Sequence, residues 1–313
     1  MISLIQLEYI VAVDTYRHFA TAAEKCFVTQ PTLSMQIIKL EEQLDLKIFD
    51  RSKQPVIPTV TGKKIIEQAR KILDESKRLD QLIQEEKDDL FGDFRVGVIP
   101  TISPYLLYRF SGKFKSENPN LHLIVKEIIT EDIIYQLKND LIDVGIVVSP
   151  INENGITEWP IYYEEMQIYS NKNHRLTSMS KIKTKDIHTN DIWLLNDGHC
   201  FRNQVVNLCK INKSVNSDLP FEFAGGNIET LLKIIDKEGG YTLIPELASM
   251  EMSSSKKKQV SKFSNITPLR EVSLIYTRKY EKAKFIDLLA EAIKSSIPKS
   301  LLNKNRGTIV EWR

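Results

Sequence analysis

The opening of the chain repeats its apolar positions at helical spacing. Leu4, Leu7, Ile10, Val11 and Val13 predict an amphipathic helix over residues 3–15. Residues 18–25 predict a short second helix, whose alanines allow close approach to its neighbours, with Cys26 in the same helix as a core residue. Thr29 stands where it can cap a third helix through Leu44, and Pro31 is tolerated in the first turn. Leu33, Ile37 and Leu40 form the inward face of that helix; Gln30, Thr32, Ser34, Gln36 and Lys39 form the outward one. Residues 51–58 read as a β-wing. Two short helices joined by a tight turn, the second polar along its free face, fit a helix-turn-helix, and a generic three-helix cluster shows the same periodicity.

From Thr61 to Glu86 no helix breaker follows Gly62. Ile65, Ala69, Ile72, Ser76, Leu79 and Ile83 recur at four and three residues, a seam that suits either a partner helix or the helix's own domain. The run Glu85-Glu86-Lys87-Asp88-Asp89, followed by Gly92, reads as a hinge. Beyond it the period changes. Strands over 95–99, 121–126 and 144–148 alternate with helices ending near Ser116 and spanning 131–141, which predicts a mostly parallel α/β sheet. Further strands are expected at 167–170, 191–195, 221–223, 242–244 and 272–277, with helices at 227–237 and 282–296. The return of the chain after about residue 268 predicts two lobes, the first over 92–164 and 268–313, the second over 165–267. Residues 1–60 then form one domain and residues 61–91 its linker helix and hinge.

A chain of 313 residues holds two domains with ease. Its net charge of +2 does not advertise nucleic-acid binding. The charge is local instead: between residues 47 and 71, Lys47, Arg51, Lys53, Lys63, Lys64, Arg70 and Lys71 face only Asp50 and Glu67. Basic side chains on a wing can grip phosphates. Three cysteines are too few for a disulfide scaffold and fit a reducing cytoplasm. No Cys/His cluster has zinc-ligand spacing, so no metal or cofactor is expected, and no apolar run is long enough to span a bilayer. His18, His122, His174 and His188 are assigned no role.

Two of the three cysteines fall in Asp197-Gly198-His199-Cys200-Phe201-Arg202-Asn203-Gln204, which runs on to Cys209. A thiol attacks as thiolate, and nearby positive charge favours that form. Arg202 supplies a charge, and a helix beginning after Gly198 would place Cys200 at its N-terminus, which also favours an anion. Cys200 and Cys209 lie about 2.5 turns apart on one helix, which separates them by ~13 Å along the axis. A disulfide needs Cα atoms within roughly 7 Å. The pair cannot close while the segment stays helical. Two buried structural cysteines remain the plain alternative.

Asp-Gly-His-Cys, then Arg202 and Gln204, with a second Cys nine residues on, closely resembles the hydrogen-peroxide-sensing members of the LysR-type transcriptional regulators. Phe27-Val28-Thr29-Gln30-Pro31-Thr32-Leu33-Ser34, then Leu40-Glu41, Phe49-Asp50-Arg51 and Thr59-Val60-Thr61-Gly62, resembles the winged helix-turn-helix of the same family. The resemblance implies an N-terminal all-α winged helix-turn-helix with a long linker helix, then a C-terminal α/β, periplasmic-binding-protein-like effector domain of two lobes. It implies that Gln30, Pro31, Thr32 and Ser34 approach DNA and that Arg51 and Lys53 hold phosphates. It also implies that Thr101, Thr130, His199, Cys200 and Arg202 form a peroxide pocket, Cys200 being attacked and Cys209 resolving it to a disulfide. As lone residues, Thr101 and Thr130 read as helix N-caps. The partners implied are two-fold symmetric double-stranded DNA, RNA polymerase, hydrogen peroxide, a glutaredoxin- or thioredoxin-like reductant, and further copies of the chain as dimer or tetramer. Two positions depart from the family motif. Phe201 stands where Leu is common. Asn203 stands where Asp is common and cannot titrate, so slower oxidation is expected. The rival readings are a regulator answering a small organic effector, a thiol peroxidase, and a purely structural interaction module.

Overall fold

The computed structural model describes residues 2–85, 92–187, 190–210, 219–221, 223–277 and 283–313; of the long helix, the side chains at 74 and 77–85 fall outside that description. His188 and most of the expected hinge therefore lie outside the described residues. The chain divides into two compact units, Met1–Leu90 and Phe91–Arg313.

The first unit runs α1 (Leu4–Tyr16), α2 (Phe19–Lys25), α3 (Gln30–Gln43), β1 (Phe49–Asp50), β2 (Ile57–Pro58) and α4 (Val60–Glu85). Each of the first three helices has a side-chain cap, which satisfies an amide that the helix itself leaves free. Ser3 and Gln6 form a capping box on α1. His18, which had no expected role, accepts from the Thr21 amide and caps α2. Thr29 accepts from the Thr32 amide and caps α3. Leu33, Ile37 and Leu40 are wholly buried against α1 and α2. The wing is an antiparallel pair, Phe49 opposite Pro58 and Asp50 opposite Ile57. Buried Glu41 on α3 accepts from the amides of Ile48 at 2.8 Å and Phe49 at 3.2 Å, which ties the wing to that helix. Cys26 lies just past α2 as its C-cap and is only half-buried, because the helix ends one residue early. On α4, Ile65, Ile66, Ala69 and Leu73 pack on the core of the unit and Ile72 is exposed, while Leu79 and Ile83 of the expected seam lie outside the described side chains. The core-facing stripe and the expected seam share Ile65 and Ala69, as spacings of three and four allow.

The second unit continues with β3 (Gly92–Val98), α5 (Ser103–Glu117), β4 (Leu121–Glu127), α6 (Thr130–Lys138), β5 (Val144–Ser149), β6 (Thr157–Ser170), α7 (Arg175–Ser178), α8 (Cys200–Cys209), α9 (Ile228–Glu238), β7 (Tyr241–Pro245), α10 (Glu246–Met250), α11 (Ser254–Lys257), β8 (Val260–Ser261), β9 (Pro268–Tyr276), α12 (Ala283–Ser296) and β10 (Thr308–Ile309). The strands form a curled sheet in the order β4-β3-β5-β9-β6-β7, the two-lobed effector fold. It is mixed rather than mostly parallel. β3 pairs parallel to β4 and β5, whereas β5 with β9, β9 with β6 and β6 with β7 are antiparallel. The cause is β6 and β9, two long antiparallel strands that carry the chain from one lobe to the other and back. The strand expected at 191–195 is a single bridge, Ile192 to Tyr241, flanked by Trp193 N donating to Tyr241 O and Tyr241 N to Asp191 O. The one expected at 221–223 is absent from its described residues: Phe221 packs on the Trp193 ring at 5.1 Å, so side-chain contact replaces a ladder.

Candidate functional site

Gly198 at φ +94° turns the chain into α8, a conformation L side chains rarely adopt. His199 is the N-cap, and its side chain makes no capping bond. The first amides of α8 are therefore free for an anion, and Cys200, 3% exposed, is the residue beside them. Cys209 closes the same helix, so ordered backbone holds the two thiols apart; all three cysteines are free.

Ile99, Thr101, Ile129, Thr130, Gly198, His199 and Cys200 line a cavity so tight that, as it stands, it has no room for a water-sized molecule. Thr101 follows β3 and Thr130 opens α6, so both stand at the carboxyl ends of parallel strands, where open α/β sheets bind their ligands. Neither is an N-cap: Ile102 and Ile129 hold those positions. Their hydroxyls are thereby left for the cavity. Thr130 Oγ1 is buried with no conventional hydrogen-bond partner and faces the Cys200 sulfur, where it favours the thiolate.

Arg202 is not in this group. Its Nε donates to Asp197 Oδ1 at 2.9 Å and its Nη1 to Leu195 O at 3.1 Å, on the outer side of the turn. A helical step of two residues points nearly opposite to Cys200, which is why the sequence proximity misleads. The cation acting on Cys200 is Arg270 of β9, wholly buried. Its Nη2 donates to Thr101 Oγ1 at 2.8 Å, its Nη1 to Glu164 Oε1 of β6 at 3.1 Å, and its guanidinium lies 4.7 Å from the centre of the Phe201 ring. Sequence reasoning missed both Arg270 and Glu164. The available signal was the charged pairs Glu164-Glu165 and Arg270-Glu271, each set within an apolar stretch of a strand.

Two influences oppose each other at Cys200. Burial pushes its thiol up, while Arg270, the Thr130 hydroxyl and the amides of Phe201 and Cys200 itself pull it down; burial prevails. Burial pushes Cys209 up to about 12 and holds His199 below its ordinary value, hence neutral at pH 7. Burial also pushes the Glu164 carboxyl up to about 7 against the pull of Arg270.

In the first unit, Gln30, Ser34, Arg51 and Lys53 line one groove between α3 and the wing. Thr32 is turned into the helix cap, with its hydroxyl 2.8 Å from that of Thr29, and Pro31 occupies the first turn. Arg51 donates to Ser34 Oγ at 3.2 Å, pairs with Glu41 Oε2 at 3.6 Å and lies over the Phe19 ring. It braces α3 against the wing as well as facing the groove. Among the described residues no metal-binding cluster occurs, and no helix is long and apolar enough to cross a membrane.

Residues 4–63 match the bacterial regulatory helix-turn-helix of the lysR family, and residues 87–297 match the LysR substrate binding domain. The chain belongs to the LysR-type transcriptional regulators, a family of DNA-binding proteins and not a class of enzymes. Within that family it is similar to proteins named for hydrogen peroxide. It is 30% identical to the hydrogen peroxide-inducible genes activator of Haemophilus influenzae over 95% of this chain and 97% of that one. It is 29% identical to the DNA-binding transcriptional dual regulator OxyR of Escherichia coli, over 92% of this chain and 94% of that one. Among solved structures, a full-length cysteine-to-aspartate variant of OxyR from Pseudomonas aeruginosa superposes with a TM-score of 0.77 at 28% identity, covering 94% of this chain and 95% of that one. A peroxide-bound cysteine-to-serine variant of OxyR from Corynebacterium glutamicum gives 0.60 at 26%, covering 94% and 92%.

Proposed function

We propose that this regulator senses hydrogen peroxide through Cys200 and reports it by forming a Cys200–Cys209 disulfide. The observation that carries the reading is the cavity at Cys200: it is small, capped by two isoleucines, and offers hydroxyls with one buried guanidinium behind them. A small neutral oxidant needs donors and acceptors, and threonine supplies both. So closed a site opens far more readily to a molecule the size of peroxide than to an organic effector of ordinary size.

Cys200 loses its proton with the help of Arg270, the free amides of α8 and Thr130. The thiolate sulfur attacks one peroxide oxygen, the O–O bond breaks, and hydroxide leaves, giving the sulfenic acid. α8 unwinds, Cys209 attacks that sulfur, and the disulfide forms with loss of water. His199, neutral, positions peroxide by hydrogen bonding. The remodelled segment then alters how copies of the chain associate, as dimer or tetramer, and hence how paired winged helices meet a two-fold DNA site and RNA polymerase. A glutaredoxin- or thioredoxin-like dithiol in the cytoplasm returns the chain to its reduced state. Mass spectrometry after stoichiometric peroxide should show loss of two hydrogens in a peptide pair joining Cys200 and Cys209, abolished in Cys200→Ser. Retention of both free thiols in the treated protein would refute the reading.

A further inference from the structure

We propose that the segment Thr308–Arg313 is a strap that holds α8 folded, with Gln204 as the positioning residue through which it governs the resolving step. The proposal rests on the disulfide reading above for its consequence, and on geometry for its existence. Gln204 lies on α8 between the two cysteines and is 0% exposed. Its Nε2 donates to Val310 O at 2.6 Å. Asn207, three residues further along the same face, donates through Nδ2 to Glu311 O at 3.1 Å. Two side chains of one helix thus hold two successive carbonyls of a segment over a hundred positions away.

The strap is fixed at its other side. Thr308 and Ile309 pair parallel with Pro268 and Leu269 of β9, and Val310 N donates to Leu269 O at 2.9 Å. Trp312, buried, donates through Nε1 to Val148 O of β5 at 3.1 Å. Arg313 donates to Ile151 O at 2.7 Å and to Glu131 Oε1 at 2.8 Å. The segment is therefore bound to two strands of the sheet and, across it, to the helix that must come apart.

The consequence follows from which atoms each step uses. None of the strap residues lines the cavity at Cys200, and Arg270 is held by Glu164 and Thr101. The first oxidation needs α8 folded, since its amides serve the sulfur. The second needs α8 unwound, and unwinding breaks both bonds to the strap. Gln204 Oε1 is buried without a partner, a cost that release of the helix removes. The strap accordingly slows the second step and leaves the first unchanged, which lengthens the life of the sulfenic acid.

The test compares the full chain with a chain ended at Gly307 and with the double variant Gln204→Leu/Asn207→Ala. Hydrogen exchange in the reduced protein, which involves no disulfide, should show α8 amides exchanging about tenfold faster or more in both altered proteins, with β3 and β4 unchanged. A single peroxide addition with a 1,3-dione trap should show equal formation of the sulfenic acid, then several-fold faster closure and correspondingly less trapped adduct. Unchanged α8 exchange overturns the strap. So does faster exchange spread evenly through the unit, which marks plain destabilisation. If the full chain itself forms no disulfide, the oxidation reading fails, and α8 exchange alone decides whether the strap exists.

Discussion

α3 and α8 are both short helices that carry side chains proposed to meet DNA and peroxide, and they are built in opposite ways. α3 has a side-chain cap at Thr29, an inward face sealed in the core, and its polar residues turned outward to a groove. α8 has no side-chain cap, keeps Cys200, Phe201, Gln204 and Val205 buried, and takes its charge from another strand. Reading DNA requires a helix that stays rigid while meeting a partner. Sensing a small oxidant requires a helix whose first amides are free for a sulfur and whose backbone can be given up. The missing cap serves both ends, since it frees amides and removes one restraint on unwinding.

The largest expected effect removes the buried charge. Arg270→Leu should slow Cys200 oxidation about tenfold or more, since each unit by which the thiol is raised cuts the thiolate tenfold. It should also destabilise the unit by about 3–5 kcal/mol, because Glu164 is left buried without its cation. Arg270→Leu/Glu164→Leu should recover most of that stability in urea and none of the stopped-flow rate. In the unaltered protein the rate should rise with pH through the neutral range: burial holds Cys200 above its ordinary value, and only the thiolate attacks. A normal rate in the single variant would return α8 to the same plan as α3, a helix sufficient by itself.

That contrast also explains what the sequence discloses. α3 is set by contacts near in sequence, and so Thr29, Pro31, the stripe Leu33-Ile37-Leu40 and the polar face could all be placed before any fold was known. Gly198 and the start of α8 at Cys200 were equally local. Arg270, Glu164 and the strap were not, because β6, β9 and the end of the chain reach α8 only through the tertiary fold. Local spacing pointed to Arg202 instead, the nearest cation in sequence and the wrong one in space. The strands expected at 191–195 and 221–223 failed for a related cause. Apolar alternation does not by itself make a ladder: 191–195 forms a single bridge to Tyr241, and Phe221, 46% exposed, packs its ring on Trp193.

A smaller effect tests the outward helix. Lys53 is exposed on the wing, in the groove shared with Gln30 and Ser34. Lys53→Ala should weaken binding to specific and non-specific duplexes alike and reduce the salt slope by about one, as for one lost phosphate contact. Arg51→Ala should lower that slope by a similar amount and also loosen the wing, since Arg51 ties Ser34 and Glu41 together. Fluorescence anisotropy over a salt series separates the two. A Lys53→Ala chain with an unaltered slope would mean that the groove is not where phosphates lie.

The smallest effect is the most discriminating. Arg202 stands two residues from Cys200, and proximity in sequence alone would make it the activating charge. Its guanidinium is spent on Asp197, whose side chain is 83% exposed, and on Leu195 O. A pair so open to water has a weak, screened field, worth about 0–1 kcal/mol to stability. Arg202→Ala should therefore change the rate of Cys200 oxidation by no more than about twofold, the scale of such a screened interaction. Peroxide consumption by Arg202→Ala and Arg270→Leu, measured side by side, gives the ratio that matters. A drop in Arg202→Ala as large as that in Arg270→Leu would show that the turn at Asp197 opens before reaction and swings Arg202 onto the sulfur. The chemistry would then be local to α8, and the contrast with α3 would reduce to exposure.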